Sequence, residues 1–447
     1  MVFVYKAAVS IVLAIKKNII MNIKKYMTVL FCLTIGLISQ EILAQEKIIT
    51  LEDVKTMALE NNNNIKRAQQ NIEAAKAAKA SVYASDKPSI SASVMGLYFA
   101  KPINNILLPE YSANASLGLT QVLYAGGKIN NAKKATSSLV ELQNSQKVLT
   151  TSEVLLNAET AYWQIVSVNE KIVLAKEYNK LLKSLLNDLS NSYTAGLIYK
   201  NDLLRVQVQV NESELNIIKA NDGLTMAKLN LAQITGMKDS NFAVADKSSN
   251  DITTELLANI SEVSEKRPEI QMLKKAVEAQ EAQGKILEGD RRPTVALSAN
   301  GIYANGKKIN FSDGSNDFTS FYGLISVNIP ILDWGNKKQK VKEQEFKTEA
   351  QKLDLIETKQ LVALEIQNNY LLLQQSIQRI ELSKKSLQQA DENLKLNNDR
   401  FKAGTVIGKD VLEAQVIWQQ AYSNTIDAKV EYKINEAKYR KAIGELK

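Results

Sequence analysis

The 447-residue chain has no histidine, and its only cysteine is Cys32. Those two absences remove most of the usual catalytic inventory. Without an imidazole there is no near-neutral general base, and because Cys32 falls in the export signal described below, the mature chain has no thiol nucleophile. The commonest transition-metal ligands are missing with them. Aspartate and glutamate remain, but no paired-acid spacing singles out two of them. The chain is therefore not expected to be an enzyme, and no cofactor or metal site is expected. Charge of one sign is also scarce. The net charge is +8, from 56 basic and 48 acidic residues. Residues 1–44, with five lysines and one glutamate, supply half of that excess. What is left is too dilute for a nucleic-acid partner and reads as solvated helix faces.

The beginning of the sequence reads as an export signal. Lys24 and Lys25 precede an apolar run over residues 27–38, and Ile42-Leu43-Ala44 ends on a small residue. This is the layout of a cleaved secretory signal spanning residues 1–44, with Gln45 as the mature start. A run of about a dozen residues is short for a membrane anchor of roughly 20. The run at residues 7–15 is shorter still, so Met21 is the expected start. Cys32 follows Phe31, where a lipoprotein signal would have a small residue, and is not read as a lipid site.

What is present is a duplication. Residues 193–210 read YTAGLIYKNDLLRVQVQV and residues 401–418 read FKAGTVIGKDVLEAQVIW. Ala195, Gly196, Asp202, Leu204 and Gln207 recur as Ala403, Gly404, Asp410, Leu412 and Gln415, always 208 residues later. Gly127 and Gly335 keep that offset, as do Gly236 and Gly444. Pro88 pairs with Pro293 at an offset of 205, so the second copy gains three residues between Pro293 and Gly335. The expected units are residues 45–253 and 254–447. Each has a first helix (50–84 and 254–288), a pair of alternating segments (88–124 and 293–332), a very long helix (128–192 and 336–400), a glycine turn, and a last helix (200–236 and 409–445).

The alternating segments have period two, as strands do. Ser89, Ser91 and Ser93 interleave with Ile90, Ala92 and Val94, while Thr294, Ala296 and Ser298 interleave with Val295, Leu297 and Ala299. One face is apolar and the other small and polar, which suits a wall between lipid and a wet lumen. Tyr98, Phe99, Tyr111, Tyr303, Phe321 and Tyr322 gather at one end, and Tyr124 and Trp334 at the other, as interfacial girdles would. Alternation alone also fits a soluble sandwich.

The long helices favour the first reading. Neither stretch contains proline, and 65 residues would reach roughly 98 Å. Ile366, Leu373, Ile380, Leu387 and Leu394 recur every seven residues, with counterparts Ala158, Ile165, Ile172, Asn179 and Leu186. That repeat implies left-handed supercoiling. The first and last helices of each copy together match the long helix in length, so a continuous and an interrupted strut can run antiparallel. Four strands cannot close a barrel, and open edges are not tolerated in lipid. Two chains would give a filled eight-stranded barrel, and three a wide twelve-stranded one.

The run Gln121-Val122-Leu123-Tyr124-Ala125-Gly126-Gly127-Lys128 and its partner Ile329-Pro330-Ile331-Leu332-Asp333-Trp334-Gly335-Asn336 resemble the strand-to-helix turns of TolC-like outer-membrane efflux proteins. Val122 stands where that motif has a proline. The turns at Gly196 and Gly404, each followed six residues later by aspartate, resemble that family's periplasmic tips. The resemblance covers nearly all of residues 46–447. It implies a mainly α fold with a membrane β-barrel portion: a homotrimer with an α-helical tunnel and a shared 12-stranded barrel. It implies an outer-membrane location with a long periplasmic portion, a periplasmic adaptor and an inner-membrane pump as partners, and a passive role in efflux or type I secretion. A homotrimeric coiled-coil surface fibre and a periplasmic adaptor share the long helices and the signal, but need no duplicated hairpins.

Carried over residue by residue, the resemblance marks Ala195, Gly196, Leu197 and Ile198, with Ala403, Gly404, Thr405 and Val406, as adaptor-docking tips. Asp202, Asp410 and Glu413 match the acids that ring the closed tunnel entrance. Phe401 and Val406 stand where well-studied members have a tyrosine and an arginine that hold it shut. Closure here is therefore expected to rest on packing, with Arg205 and Lys409 as the nearby cations. The alternative for Asp202 and Asp410 is simple capping of the last helices.

Overall fold

The structure, a computed structural model, describes residues 47–100, 110–245, 257–310 and 312–446. The signal at 1–44, with Met21 and Cys32, and the repeat boundary at 253/254 lie outside the described residues. In chain order the elements are β1 (Lys47–Ile49), α1 (Leu51–Asn61), α2 (Asn63–Ala84), β2 (Ser89–Tyr98), β3 (Tyr111–Ala125), α3 (Lys128–Thr194), α4 (Lys200–Thr235), β4 (Phe242–Val244), α5 (Ile260–Lys266), α6 (Pro268–Gly289), β5 (Thr294–Gly306), β6 (Asp317–Asn328), α7 (Asn336–Lys402) and α8 (Gly408–Ala442). Strands β1 and β4 belong to a small unit of their own, a parallel pair with Ile48 opposite Ala243. All other elements belong to a second unit, in which the order helix, helix, hairpin, long helix, last helix occurs twice.

The first helix of each repeat, expected to be single, is broken. In the first copy the break is Asn62, which has extended backbone (φ −62°, ψ 127°). Its Oδ1 accepts from the Asn64 N–H at 2.8 Å and caps α2. Its Nδ2 donates at 2.8 Å to the carbonyl of Ile234, near the end of α4. In the second copy the break is Arg267, 205 residues later. Pro268 pushes it into extended backbone (φ −63°, ψ 139°). The buried Arg267 Nη1 donates to the carbonyls of Ala442 (2.6 Å) and Lys441 (3.2 Å), at the end of α8. Ile234 and Ala442 are themselves 208 apart. Each break is thus the joint where a repeat's first and last helices meet, and its side chain satisfies a carbonyl that a helix end leaves unpaired. Gly236 lies beside the first joint, where a Cβ would come within 2.8 Å of Asn61.

The two long helices have 67 residues each, roughly 100 Å. The heptad seam is buried as expected at Ala158, Ile165, Ile172 and Asn179, and at Ile366, Leu373, Ile380 and Leu394. Leu186 and Leu387 are only half-buried. The core is a line of small clusters rather than one ball. Ile366, Leu373 and Ile380 meet Tyr432 and Tyr439 of α8, and further along Leu174 meets Trp418 and Ile426. Each fully buried Leu or Ile contributes on the order of 1.5–3 kcal/mol.

The hairpins form one antiparallel sheet in the order β2-β3-β5-β6, so β3 and β5 join the repeats. Their register runs from Ser112 opposite Gly306 to Ala125 opposite Thr294, with an irregularity between Val122 and Tyr124. Ile90 faces Leu119 and Val295 faces Val327 on the apolar side. On the other side the Ser93 and Ser116 hydroxyls bond at 2.7 Å. The second alternating segment stops at Asn328, short of the expected 332. Asn328 pairs with Thr294, the first residue of β5, so nothing beyond it has a partner. Pro330 also lacks the N–H a ladder needs.

Candidate functional sites at the two ends of the long helices

At the sheet end, β3 passes into α3 through Gly126 (φ +64°) and Gly127 (φ +85°). A Cβ on Gly126 would lie 2.4 Å from the Gly289 carbonyl oxygen, so only glycine fits there. In the second copy the same place is held by Trp334 (φ +55°), followed by Gly335 (φ +85°). A side chain in that region costs roughly 1–2 kcal/mol. Asp333 offsets it: Oδ1 accepts from the Gly335 N–H and Oδ2 from the Lys337 N–H, both at 3.0 Å. The Lys337 N–H, chiefly, holds the Asp333 carboxyl below its usual pKa. Pro330 lies between the end of β6 and this turn.

At the other end, both long helices stop at a left-handed glycine, Gly196 (φ +73°) and Gly404 (φ +71°). The N–H groups of Leu197 and Thr405 reach back to the carbonyls of Ser192 and Arg400, both at 2.9 Å. This is the six-to-one bond of a Schellman C-cap. Ala195, Leu197, Ala403 and Thr405 are exposed. Ile198 and Val406, carried over as docking-tip residues, are half-buried instead of fully exposed, and Ile198 packs against the apolar cluster that holds Leu189 and Val206. The chain turns inward there to start the next helix. Tyr199 and Ile407, one residue further, are the exposed ones.

The three tip acids are not equivalent. Asp410 Oδ2 accepts from the Ile407 N–H at 3.1 Å, so it caps α8. Asp202 is half-buried and Glu413 exposed, and neither side chain has a hydrogen bond or ion pair among the described residues. Phe401 packs into the apolar cluster around Leu189, Val206 and Leu412, as its lack of a hydroxyl suggests. Arg205 and Lys409 are exposed. Sequence reading missed Gly408, the first residue of α8. A Cβ there would meet Leu189 at 2.7 Å, so it lets the two tips close on each other. It also missed Glu159, fully buried between Lys55 (2.9 Å) and Arg440 (3.4 Å), because these charges lie far apart in the chain. Burial lowers the Lys55 pKa, but the Glu159 and Glu52 carboxylates together outweigh it and lift it above the ordinary value.

Among the described residues no helix is long and apolar enough to cross a membrane. Comparison with known proteins agrees with the architecture. Outer membrane protein TolC of Escherichia coli (strain K12) is 22% identical over 350 residues, covering 75% of this chain and 70% of that protein. The Campylobacter jejuni CmeC outer membrane channel superposes with a TM-score of 0.76 at 19% identity, covering 88% of this chain and 85% of that one. The open-state Neisseria gonorrhoeae MtrE channel gives a TM-score of 0.75 at 18% identity, covering 89% of each. Residues 55–237 and 259–445 both match the outer membrane efflux protein family, to which this chain belongs.

Proposed function

We propose that the chain is the outer-membrane channel subunit of a tripartite efflux or type I secretion system, a passive conduit from periplasm to exterior. One observation carries this. The sheet has an apolar face and a small polar face, and Asp317, at the start of β6, is the only charged residue in its four strands. Both its edges, β2 and β6, are open. In lipid those edges must be paired. Three copies of this chain complete a twelve-stranded barrel and continue it as a helical tunnel. Purified protein in planar bilayers should give single-channel conductance and run as a detergent-resistant trimer. A monomeric mass with no conductance would sink the proposal.

The partners on this reading are a periplasmic adaptor, an inner-membrane pump and outer-membrane lipid, with no nucleic acid. The adaptor meets the tips at Ala195, Gly196 and Leu197 and at Ala403, Gly404 and Thr405. Exposed apolar side chains there suit such contact. Leu197→Asp with Ile407→Asp should leave the trimer folded and stop export, and unchanged export rules the tips out. Asp202, Asp410 and Glu413 ring the tunnel entrance, closed by packing at Phe401 and Val406. Asp410 also caps a helix, so selectivity is better tested with Asp202→Asn and Glu413→Gln. That pair should weaken cation selectivity, and an unmoved reversal potential removes the gate assignment.

A further inference from the structure

The shoulder where the sheet meets the long helices is unusually basic. The first seven residues of α3, KINNAKK, hold three lysines and no acid. The equivalent seven of α7, NKKQKVK, hold four and no acid. In the first copy the cations are partly satisfied. Lys128 pairs with Asp290 at 2.9 Å and Lys133 with Asp86 at 2.5 Å. In the second copy they are not. The position equivalent to Asp86 is Arg291, and the ammonium groups of Lys337, Lys338, Lys340 and Lys342 form no ion pair among the described residues. The nearby Asp333 is occupied by two backbone N–H groups.

Directly before this cluster lies an apolar run. Ile329, Ile331 and Leu332 are exposed, and Trp334 is 90% exposed. The duplication tells which of these positions stay open once copies pack together. Helix α3 already has neighbours on both flanks: Lys147 reaches Gln69 of α2, and Ser138 reaches Glu278 of α6. Even so, Leu123 and Tyr124, the equivalents of Ile331 and Leu332, are exposed. So are Asn130 and Lys134, the equivalents of Lys338 and Lys342. The apolar pair and these two lysines therefore sit where a flanking helix does not cover them.

We infer that Ile331, Leu332 and Trp334 with Lys337, Lys338, Lys340 and Lys342 form a binding collar for anionic phospholipid headgroups. The inference rests on the channel reading, which puts this shoulder at the membrane surface. Its chemistry is that of an interfacial anchor: an indole at headgroup depth, apolar side chains below it, and long cationic side chains reaching the phosphates from the wet side.

The test uses the purified trimer reconstituted in bilayers of brominated phosphatidylglycerol or brominated phosphatidylcholine. Trp163 and Trp418 are buried, so quenching of tryptophan fluorescence reports Trp334. Wild type should prefer the brominated phosphatidylglycerol roughly fivefold at low salt. At about 1 M salt the preference should vanish, because screening is then complete within about 3 Å. The Lys337, Lys338, Lys340 and Lys342→Gln variant should lose the preference, and the same four changed to Arg should keep it. Equal quenching by both lipids in wild type overturns the collar. So does a retained preference in the Gln variant, above all if its ion selectivity shifts, which would put the lysines in the lumen. A conducting channel that neither lipid quenches overturns the collar alone, whereas loss of both conductance and quenching overturns the channel reading.

Discussion

The two repeats share one architecture and differ in what covers them. On α3, Leu174 is 2% exposed, in a buried cluster with Trp418 and Ile426 of α8. Its equivalent on α7, Leu382, is 64% exposed. On α8, Ile426 is 2% exposed, and its equivalent on α4, Ile218, is 58% exposed. Trp163 and Leu412 are buried, while their equivalents Leu371 and Leu204 lie open. The seam between α3 and α8 thus exists inside the chain, and the matching seam between α7 and α4 has both halves but no partner. The channel reading fills it with the α4 of a neighbouring copy, head to tail, as a closed ring requires. The charges differ too. Lys171 pairs with Asp427 at 2.6 Å across the internal seam. The equivalents are Arg379 and Lys219, two cations, and Arg379 turns to Glu431 instead. At this position the two open faces offer no opposite charges to each other.

The sharpest way to break this comparison is to put charge on the open seam. Leu382→Asp with Ile218→Asp should abolish the trimer while leaving a folded monomer, seen as mass by light scattering in detergent and helix content by circular dichroism. A trimer that survives would show that α7 and α4 do not meet. The next effect concerns the turns. Gly126→Ala forces a Cβ against the Gly289 carbonyl and should cost roughly 2–4 kcal/mol in denaturant unfolding. Trp334→Gly, at the same place in the other repeat, should change stability by no more than about 1 kcal/mol. Equal costs would mean that both turns are equally packed.

A smaller change should repair the missing ion pair. Lys219→Asp opposite Arg379 should raise the trimer's dissociation temperature modestly, by the ~0.2–1 kcal/mol of an exposed pair, and the gain should fade with salt. The smallest effect is in acid. Hydrogen bonds from Lys274, and then from Lys359, hold Glu265 down to about 2 from an ordinary value near 4.5. A depressed carboxylate contributes stability above its unfolded pKa and loses it as pH falls through the folded one. Glu265→Gln should therefore flatten the loss of stability between pH of about 4.5 and about 2. Its counterpart Glu60 has no ion pair among the described residues.

Much of this was legible in the sequence because the signals were periodic. Alternation placed the strands, the absence of proline placed the long helices, and a constant offset placed the tips at Gly196 and Gly404. The break at Asn62 was not legible, because the carbonyl that stabilises it lies 172 residues away, whereas Pro268 marks the break at Arg267 and was passed over. The end of β6 was missed because alternation continues past Asn328 to Ile329 and Ile331 although the ladder stops. At the tips, the glycine turns read correctly, but which neighbour points outward depends on the next helix's packing. Val406 is half-buried for that reason, while Ile407 beside it is exposed.

The joints at Asn62 and Arg267 also set how the two struts deform. The long helices run unbroken from tip to shoulder. The interrupted struts beside them bend where their two pieces are joined. At Asn62 that joint is one amide on one carbonyl. At Arg267 it is a buried guanidinium holding two carbonyls and clamped by Glu269 and Glu365. The first repeat therefore carries the compliant joint and the second the stiff one. Amide exchange should be faster around residues 61–64 than around 266–269. Rotation of the tunnel mouth would then be absorbed by one strut in each copy while the other holds its line.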